Sequence, residues 1–324
     1  MSAIQFRYPS PPTSRYQRAS SPHVVILLAT YNGASMLPAQ LNSFLGQSHK
    51  NWSLLVSDDG STDSTRDIVR DFAAANTQHR VTLIRGPQKG SARNFLSLLR
   101  AAGSAPFVAF SDQDDVWLPF KLERAIDALR EENTACVYGS TTIVTNQSLT
   151  PLRPSPLFRR PKTFANALVQ NVTGGNTMVL NRAALDVLQP ASRQADGIVA
   201  HDWWCYQMIT GVGGQMLYDE KPTLLYRQHH GNQIGANDGL WAMANRLTRL
   251  SRGDFGKTLR QQHAALSACE AVFEEPAKSA LRAFQGVQSS TLSERQSAFK
   301  ASGAFRQTRR GSLALRAAVL AGRL

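Results

Sequence analysis

Apolar positions along the chain fall into two patterns that alternate. Val24–Ala29, Trp52–Val56, Val81–Ile84 and Phe107–Phe110 are short apolar runs, with the length and β-preference of buried strands. Between them, apolar residues recur at helical spacing. Met36, Leu37, Leu41, Phe44 and Leu45 predict a helix to about Gly46, and further helices are predicted over 64–74 and 91–101, the last with Phe95, Leu98 and Leu99 inside. Strand–helix alternation of this kind predicts an α/β fold with a mainly parallel sheet and helices on both faces. Right-handed crossovers would bring the loops 30–33, 57–60 and 111–115 to one edge.

The second half is less regular. Cys136–Tyr138 and Thr177–Leu180 read as strands, 164–170 and 203–211 as helices, and 150–163, with four Pro and four Arg/Lys, as a loop. Gln215–Tyr218 and Pro222–Tyr226 read as strands paired across a turn at Asp219-Glu220. From Asp238 onward the pattern predicts helices over about 239–251, 255–273, 277–287 and 292–302. Phe305–Leu324 then reads as a basic amphipathic segment in which Arg306, Arg309, Arg310, Arg316 and Arg323 accompany Leu313, Leu315, Val319 and Leu320.

Composition narrows the class. The chain has 324 residues, 42% hydrophobic and 18% charged, enough for a sizeable core. Cys136, Cys205 and Cys269 are too few and too scattered for a disulfide framework or a structural zinc site. No secretory h-region or run of roughly 20 apolar residues is evident, so a reducing, cytoplasmic setting is expected. The net charge of +13 is concentrated at the ends. Residues 1–23 carry three Arg and no acid, and residues beyond 239 carry 14 Lys/Arg against 5 Asp/Glu, leaving the middle near neutral. That distribution argues against a nucleic-acid-binding core. A flexible basic arm and a basic tail that meets anionic lipid or another protein fit it better. For the last segment the alternative is a helix packed on the body with its Arg solvated.

The candidate chemistry sits at the ends of the strands. Phe107–Phe110 leads into Ser111-Asp112-Gln113-Asp114-Asp115-Val116-Trp117, three carboxylates within four positions. In open α/β sheets ligands bind at this edge, and clustered carboxylates suit a hard divalent cation that also takes substrate phosphates. The alternative is a solvated acidic turn before the helix that starts near Pro119. Trp52–Val56 leads into Asp58-Asp59-Gly60-Ser61-Thr62-Asp63. Asp63 suits an N-cap, while Asp58 and Asp59 can accept bonds from a base N–H or a ribose hydroxyl. No Gly-x-Gly-x-x-Gly or Gly-x-x-x-x-Gly-Lys-Ser/Thr follows the first strand, which disfavours a dinucleotide site and a P-loop.

Thr30-Tyr31-Asn32-Gly33, Asp58–Asp63 and Asp112–Pro119, followed by His201-Asp202-Trp203-Trp204 and Tyr226-Arg227-Gln228-His229-His230-Gly231-Asn232-Gln233-Ile234-Gly235, resemble the successive signatures of glycosyltransferase family 2. The last two resemble its bacterial rhamnosyltransferase-like branch. The resemblance covers about residues 24–237 and implies a GT-A fold, with an arm at 1–23 and a helical extension at 238–324. It implies an inverting transfer from a nucleoside-diphosphate sugar, with dTDP-rhamnose as first expectation and a UDP-sugar otherwise, to a glycan or lipid-linked acceptor in cell-surface polysaccharide synthesis. Mg²⁺ or Mn²⁺ would be held by Asp112, Asp114 and His229. Thr30, Tyr31, Asn32, Asp58, Asp59, Arg93 and Asn94 would bind the nucleotide. Gly174, Gly175, Asn176, Trp203 and Trp204 would lie on the acceptor side, the two Trp as an apolar platform, with a core position as the alternative for one of them. Asp202 would take the proton of the attacking hydroxyl, its alternative being an N-cap on helix 203–211. For His229 the alternative is a surface histidine. Where many relatives have Asp after the Pro of the third motif, this chain has Phe120, expected as a helix-surface difference. A nucleotidyltransferase is a second reading, but Thr30–Ser35 lacks a basic residue to hold a triphosphate. A non-enzymatic basic membrane- or nucleic-acid-binding protein is a third, disfavoured by the near-neutral middle.

Overall fold

A computed structural model of the chain describes residues 21–195, 197–229 and 254–324. The expected arm, His230–Gly235 and the helix at 239–251 fall largely or wholly outside the described residues. Seven strands form the central sheet: β1 (Val24–Thr30), β2 (Trp52–Asp58), β3 (Val81–Arg85), β4 (Phe107–Ser111), β6 (Cys136–Ser140), β9 (Val179–Asn181) and β10 (Gln215–Asp219), in the order β10-β6-β9-β4-β1-β2-β3. β1, β2, β3 and β4 run parallel, as do β6 and β10, while β9 is antiparallel to both β4 and β6. The central position of β1 explains its unbroken apolar sequence, because both of its faces are covered by helices.

The helices α1 (Leu37–Leu45), α2 (Thr65–Ala75), α3 (Ser91–Ala101), α4 (Lys121–Leu129), α5 (Phe164–Ala167), α6 (Arg182–Ala191) and α7 (His201–Gly211) connect the strands. One apolar layer gathers Ile26, Leu28, Phe44, Trp52 and Trp117, with Trp117 edge-on to Phe44 at 4.8 Å between centroids. The other gathers Leu27, Phe95, Phe110 and the side chains of α7. That second layer continues into α8 (Asp254–Ser267), α9 (Glu275–Gln285), α10 (Leu292–Ser302) and α11 (Arg309–Leu320), through Leu259, Leu266, Leu281, Phe284, Leu315 and Val319. The C-terminal helices thus share the core of the sheet. No helix among the described residues is long and apolar enough to cross a membrane.

Three expectations are corrected. Gln215–Tyr218 and Pro222–Tyr226 do not pair. β10 lies parallel to β6, and the chain then turns at Asp219, whose carboxylate accepts bonds from the Tyr138 hydroxyl (2.7 Å) and Arg124 Nε (2.8 Å). From that turn it enters a second sheet as β11 (Leu224–Arg227), between β5 (Val116–Trp117) and β7 (Ile143–Thr145). The loop at 150–163 contains the edge strand β8 (Pro151–Pro154), where Pro is tolerated because one side of the strand needs no donor. Phe120 is not on a helix surface but is buried with Leu118, Ile143 and Leu225 between α4 and the second sheet.

The docking of the C-terminal helices carries a pH signature. His263 on α8 is buried edge-on to Phe284, and its Nε2 lies 2.8 Å from the Leu168 carbonyl. Burial pushes its pKa down to about 4, against the opposing pull of that carbonyl. Between about 6.5 and 4 the unfolded chain binds the proton that the folded chain refuses. The contribution of neutral His263 is therefore fully present above pH 6.5 and lost as pH falls through 4. Urea unfolding of wild type and His263→Gln is expected to show a stability gap that is largest at pH 7 and narrows by pH 4.5. A gap that stays constant or widens would contradict this placement.

Candidate active site

The loops after β1 and β2 are built as one unit. Thr30 Oγ1 donates to Asp58 Oδ1 at 3.1 Å, and Asp58 Oδ2 accepts the Ser61 N–H at 3.0 Å. The Asn32 N–H donates to Ser61 Oγ at 2.9 Å, and Asn32 Oδ1 accepts the Thr62 N–H at 2.8 Å, with Asn32 in the left-handed region at φ 45°. Asp63 caps from one residue further out than expected: Ser64 is the N-cap of α2, and Asp63 Oδ1 accepts the Thr65 N–H at 3.0 Å. Asp59 reaches the other way. Its two oxygens accept the N–H groups of Gln88 (2.6 Å) and Gly90 (2.9 Å), so it shapes the loop that leads into α3. Gly86 is required there, because a Cβ would lie 2.8–2.9 Å from Asp59 Oδ1, Asn94 Oδ1 and the Asp58 carbonyl. Asn94 donates to the Ser57 carbonyl at 2.9 Å, while its Oδ1 is buried without a hydrogen-bond partner. Arg93, with Lys89, Gly90, Gly197, Val199 and Gln261, lines a cleft of about 540 Å³. Tyr31 is 57% exposed, its ring free to face a base.

The carboxylate loop is pinned from both sides. Gln113 makes a reciprocal pair with the backbone of Tyr31, both bonds 2.9 Å. Asp114 Oδ2 lies 2.7 Å from His229 Nε2, and the Asp114 carbonyl accepts Arg227 Nε at 2.8 Å. His229 is therefore held at the cluster. Asp112 is pushed up to about 8, first by burial of its carboxyl and then by the charges of Asp114 and Asp202. Among the described residues no three His, Cys, Asp or Glu side chains converge as a metal-ligand set; Asp114 and His229 form a direct pair, and Asp112 joins them through charge.

Asp115 was missed by sequence reasoning. It has no accessible surface, and its oxygens accept Asn176 Nδ2 at 2.5 Å and the Arg227 N–H at 3.2 Å. Burial and the neighbouring Asp114 and Asp112 push its carboxyl well up. Lys121 answers it from the first turn of α4. The ammonium is buried 3.7 Å above the Trp117 ring without a hydrogen-bond partner, and burial brings its pKa down to about 7 against the pull of Asp115. The available signal was a third acid directly after Asp-Gln-Asp with a Lys six residues on, a pattern indistinguishable from a solvated turn without its partners.

On the opposite side a 3₁₀ turn at Gly175–Thr177 faces the start of α7. Asp202 is not an N-cap. Ala200 holds that position, and Asp202 sits in the first turn, accepting the Gly175 N–H at 3.0 Å and the Trp203 N–H at 2.7 Å. Gly174 is exposed beside it, and Asn176 is tied to Asp115. His201 stacks on Phe95 at 3.8 Å with Nε2 lacking a hydrogen-bond partner, and burial lowers its pKa to about 4. A Cβ at Gly175 would meet that ring at 2.4 Å, so the turn can close on α7 only with glycine. The expected acceptor platform is corrected. Trp203 and Trp204 are both buried, Trp203 Nε1 donates to the Ala167 carbonyl at 2.6 Å, and α7 is enclosed nearly all round, so neither indole offers a face.

Loss of the Asp115 carboxyl would leave the Asn176 amide and the Arg227 N–H without their acceptor. Asp115→Ala is expected to destabilise by about 1–3 kcal/mol for each buried donor left unanswered, measured by urea unfolding at pH 7. A change within ~0.5 kcal/mol, the range of ordinary surface substitutions, would contradict the central role of this group.

Residues 25–188 match the family model described as Glycosyl transferase family 2. Over 230 residues the chain is 31% identical to dTDP-rhamnosyl transferase RfbG of Shigella flexneri, covering 68% of this chain and 78% of that protein. Over 165 residues it is 34% identical to UDP-Glc:alpha-D-GlcNAc-diphosphoundecaprenol beta-1,3-glucosyltransferase WfgD of Escherichia coli, covering 50% of this chain and 62% of that protein. Among solved structures, residues 1–349 of S. aureus TarS in complex with UDP-GlcNAc superimpose with a TM-score of 0.51 at 15% identity, over 87% of this chain and 89% of that one, a likeness of fold. With acidic loops gathered at one sheet edge and this sequence match, the chain is a rhamnosyltransferase-like GT-A enzyme that belongs to glycosyltransferase family 2.

Proposed function

We propose that the enzyme transfers rhamnose from dTDP-rhamnose to a hydroxyl of a lipid-linked glycan, with inversion, at the cytoplasmic face of the membrane during polysaccharide assembly. The observation that carries this reading is the approach of two carboxylate groups from separate parts of the chain. Asp202 on α7 holds the Gly175 N–H, and the adjoining Asn176 holds Asp115 of the carboxylate loop after β4, so one short turn joins the two. The donor is suggested by the name of the Shigella relative, and the lipid-linked acceptor by that of the Escherichia coli relative.

Single displacement needs a base on the acceptor side and charge stabilisation on the leaving-group side. Asp202 suits the first role. Its orientation is fixed by two backbone N–H groups, and each oxygen keeps a lone pair for a hydroxyl proton. On the donor side the second lone pairs of Asp59 can receive base or ribose donors, and Tyr31 offers a stacking face. Asp58 and Thr30 shape this pocket through their mutual bond. The Asp114–His229 pair, with the Asp112 carboxyl two residues before Asp114, offers hard oxygen and imidazole donors to a divalent cation by the chemistry of the donor set. Asp112, Asp114 and His229 would hold Mg²⁺ or Mn²⁺, which when bound neutralises charge developing on the departing nucleoside diphosphate.

Thermal-shift binding of dTDP, UDP and GDP with and without Mn²⁺ tests the donor assignment. Ligand at about 100 times its Kd adds roughly 2.7 kcal/mol of stability, so dTDP with Mn²⁺ is expected to raise Tm measurably, and Asp114→Ala to abolish the rise. Asp202→Asn is expected to keep the dTDP shift while kcat falls about 10²–10⁴-fold. A shift with UDP or GDP alone would overturn the donor, and full activity in Asp202→Asn would overturn the base.

A further inference from the structure

α11 breaks a local rule. Its first turn carries Arg309 and Arg310 and no acid, so two cations sit where the helix macrodipole favours anions. One turn on, Leu313 is 67% exposed, and Arg316 is exposed after it. Arg309, Leu313 and Arg316 share one stripe of the helix by their spacing. The stripe that packs on the body is a different one, with Leu315, Ala318 and Val319 buried. Folding therefore gains nothing from the exposed stripe.

A second segment is fastened beside it. Arg160 donates its backbone N–H to Gln307 Oε1 at 2.9 Å and its Nη1 to the Arg306 carbonyl at 2.6 Å and Ser312 Oγ at 3.2 Å, and its guanidinium lies 4.1 Å over the Phe305 ring. This fixes the loop that bears Leu157, 45% exposed, and Arg159, whose 75% exposed side chain reaches Glu220 only at 3.9 Å. Two segments about 150 residues apart in sequence, each with an exposed leucine near arginines, are thus fastened side by side.

We infer that this joined surface docks on an anionic lipid bilayer, with Leu157 and Leu313 entering the headgroup region and Arg159, Arg309, Arg310 and Arg316 meeting lipid phosphates. Charge complementarity selects this occupant. The surface carries Arg159, Arg309, Arg310 and Arg316 against the acid Glu220 beside Arg159, and single apolar side chains set among Arg suit a membrane interface. The inference deepens the lipid-linked reading proposed above and rests on it for its purpose, while its test requires neither donor nor acceptor.

Full-length protein is sedimented with phosphatidylcholine vesicles with and without phosphatidylglycerol. Wild type is expected to bind the anionic vesicles alone. Arg309→Gln combined with Arg310→Gln is expected to weaken binding roughly 25-fold, about fivefold for each Arg. Leu313→Asp and Arg160→Ala, the latter releasing the 157–160 loop, are each expected to weaken it further from wild type, with CD spectra and Tm verifying the fold. Arg70→Gln, on α2 with its side chain 63% exposed, is the charge-matched control and is expected to bind as wild type. No wild-type binding, equal binding to neutral vesicles, or an equal per-charge loss in Arg70→Gln would overturn the docking surface. Nucleotide shifts measured on the same variants separate the two readings: vesicle binding without any nucleotide shift leaves the surface standing and removes the transferase reading, and the converse removes the surface alone.

Discussion

A carboxylate with no access to water must find its partners inside the protein, and the fold around Asp115 is arranged to supply them. Asn176 comes from the turn between α5 and β9, the Arg227 N–H from the end of β11, and the Lys121 charge from α4. A buried polar group left without hydrogen-bond partners is costly enough that these partners have to arrive together. Asp112 and Asp114 precede Asp115, Gly174 and Gly175 precede Asn176, and His229 follows Arg227. One buried group therefore sets the relation between the carboxylate loop, the acceptor-side turn and the His229 segment.

The same logic explains why the helices beyond residue 254 belong to the catalytic body. Gln262 on α8 accepts the Val199 N–H at 2.9 Å and donates to Gln207 Oε1 at 2.8 Å. Gln261 donates to the Gly197 carbonyl at 2.7 Å. The segment leading into α7 is thus held by the extension, and α7 carries Asp202. Packing of Leu259, Leu266 and Phe284 into the main core makes that hold rigid. A base needs a fixed position relative to the donor, and here part of the fixing comes from outside the stretch that matches the family model.

The centre of the sheet was legible in the sequence because β1, β2 and β4 are buried on both faces and read as unbroken apolar runs. The gathering of polar loops at one sheet edge was legible because three neighbouring strands end in Thr-Tyr-Asn-Gly, Asp-Asp-Gly and Asp-Gln-Asp-Asp. Legibility failed where a residue's partners are remote. Val116–Trp117 is too short to carry a period, and β10 and β11 look like a hairpin until Asp219 is seen bound to Tyr138 and Arg124. Trp203 and Trp204 suggested a platform, but α7 is surrounded by protein, a fact of tertiary packing that a local pattern does not contain. Asp58 and Asp59 were read as ligand acceptors, and they also hold the loops in place, because small polar loops can be stiffened only by side chains that accept their backbone N–H groups.

The central claim is a single displacement at the anomeric carbon, with Asp202 as base and the leaving group at the Asp112–Asp114 edge. The most direct test is the anomeric configuration of the product, read by NMR after turnover of a dTDP-sugar on a lipid-diphosphate-linked acceptor. The account predicts a product whose configuration is opposite to that of the donor. A product that retains the donor's configuration would contradict it, since retention requires a second displacement that this arrangement of carboxylates does not provide.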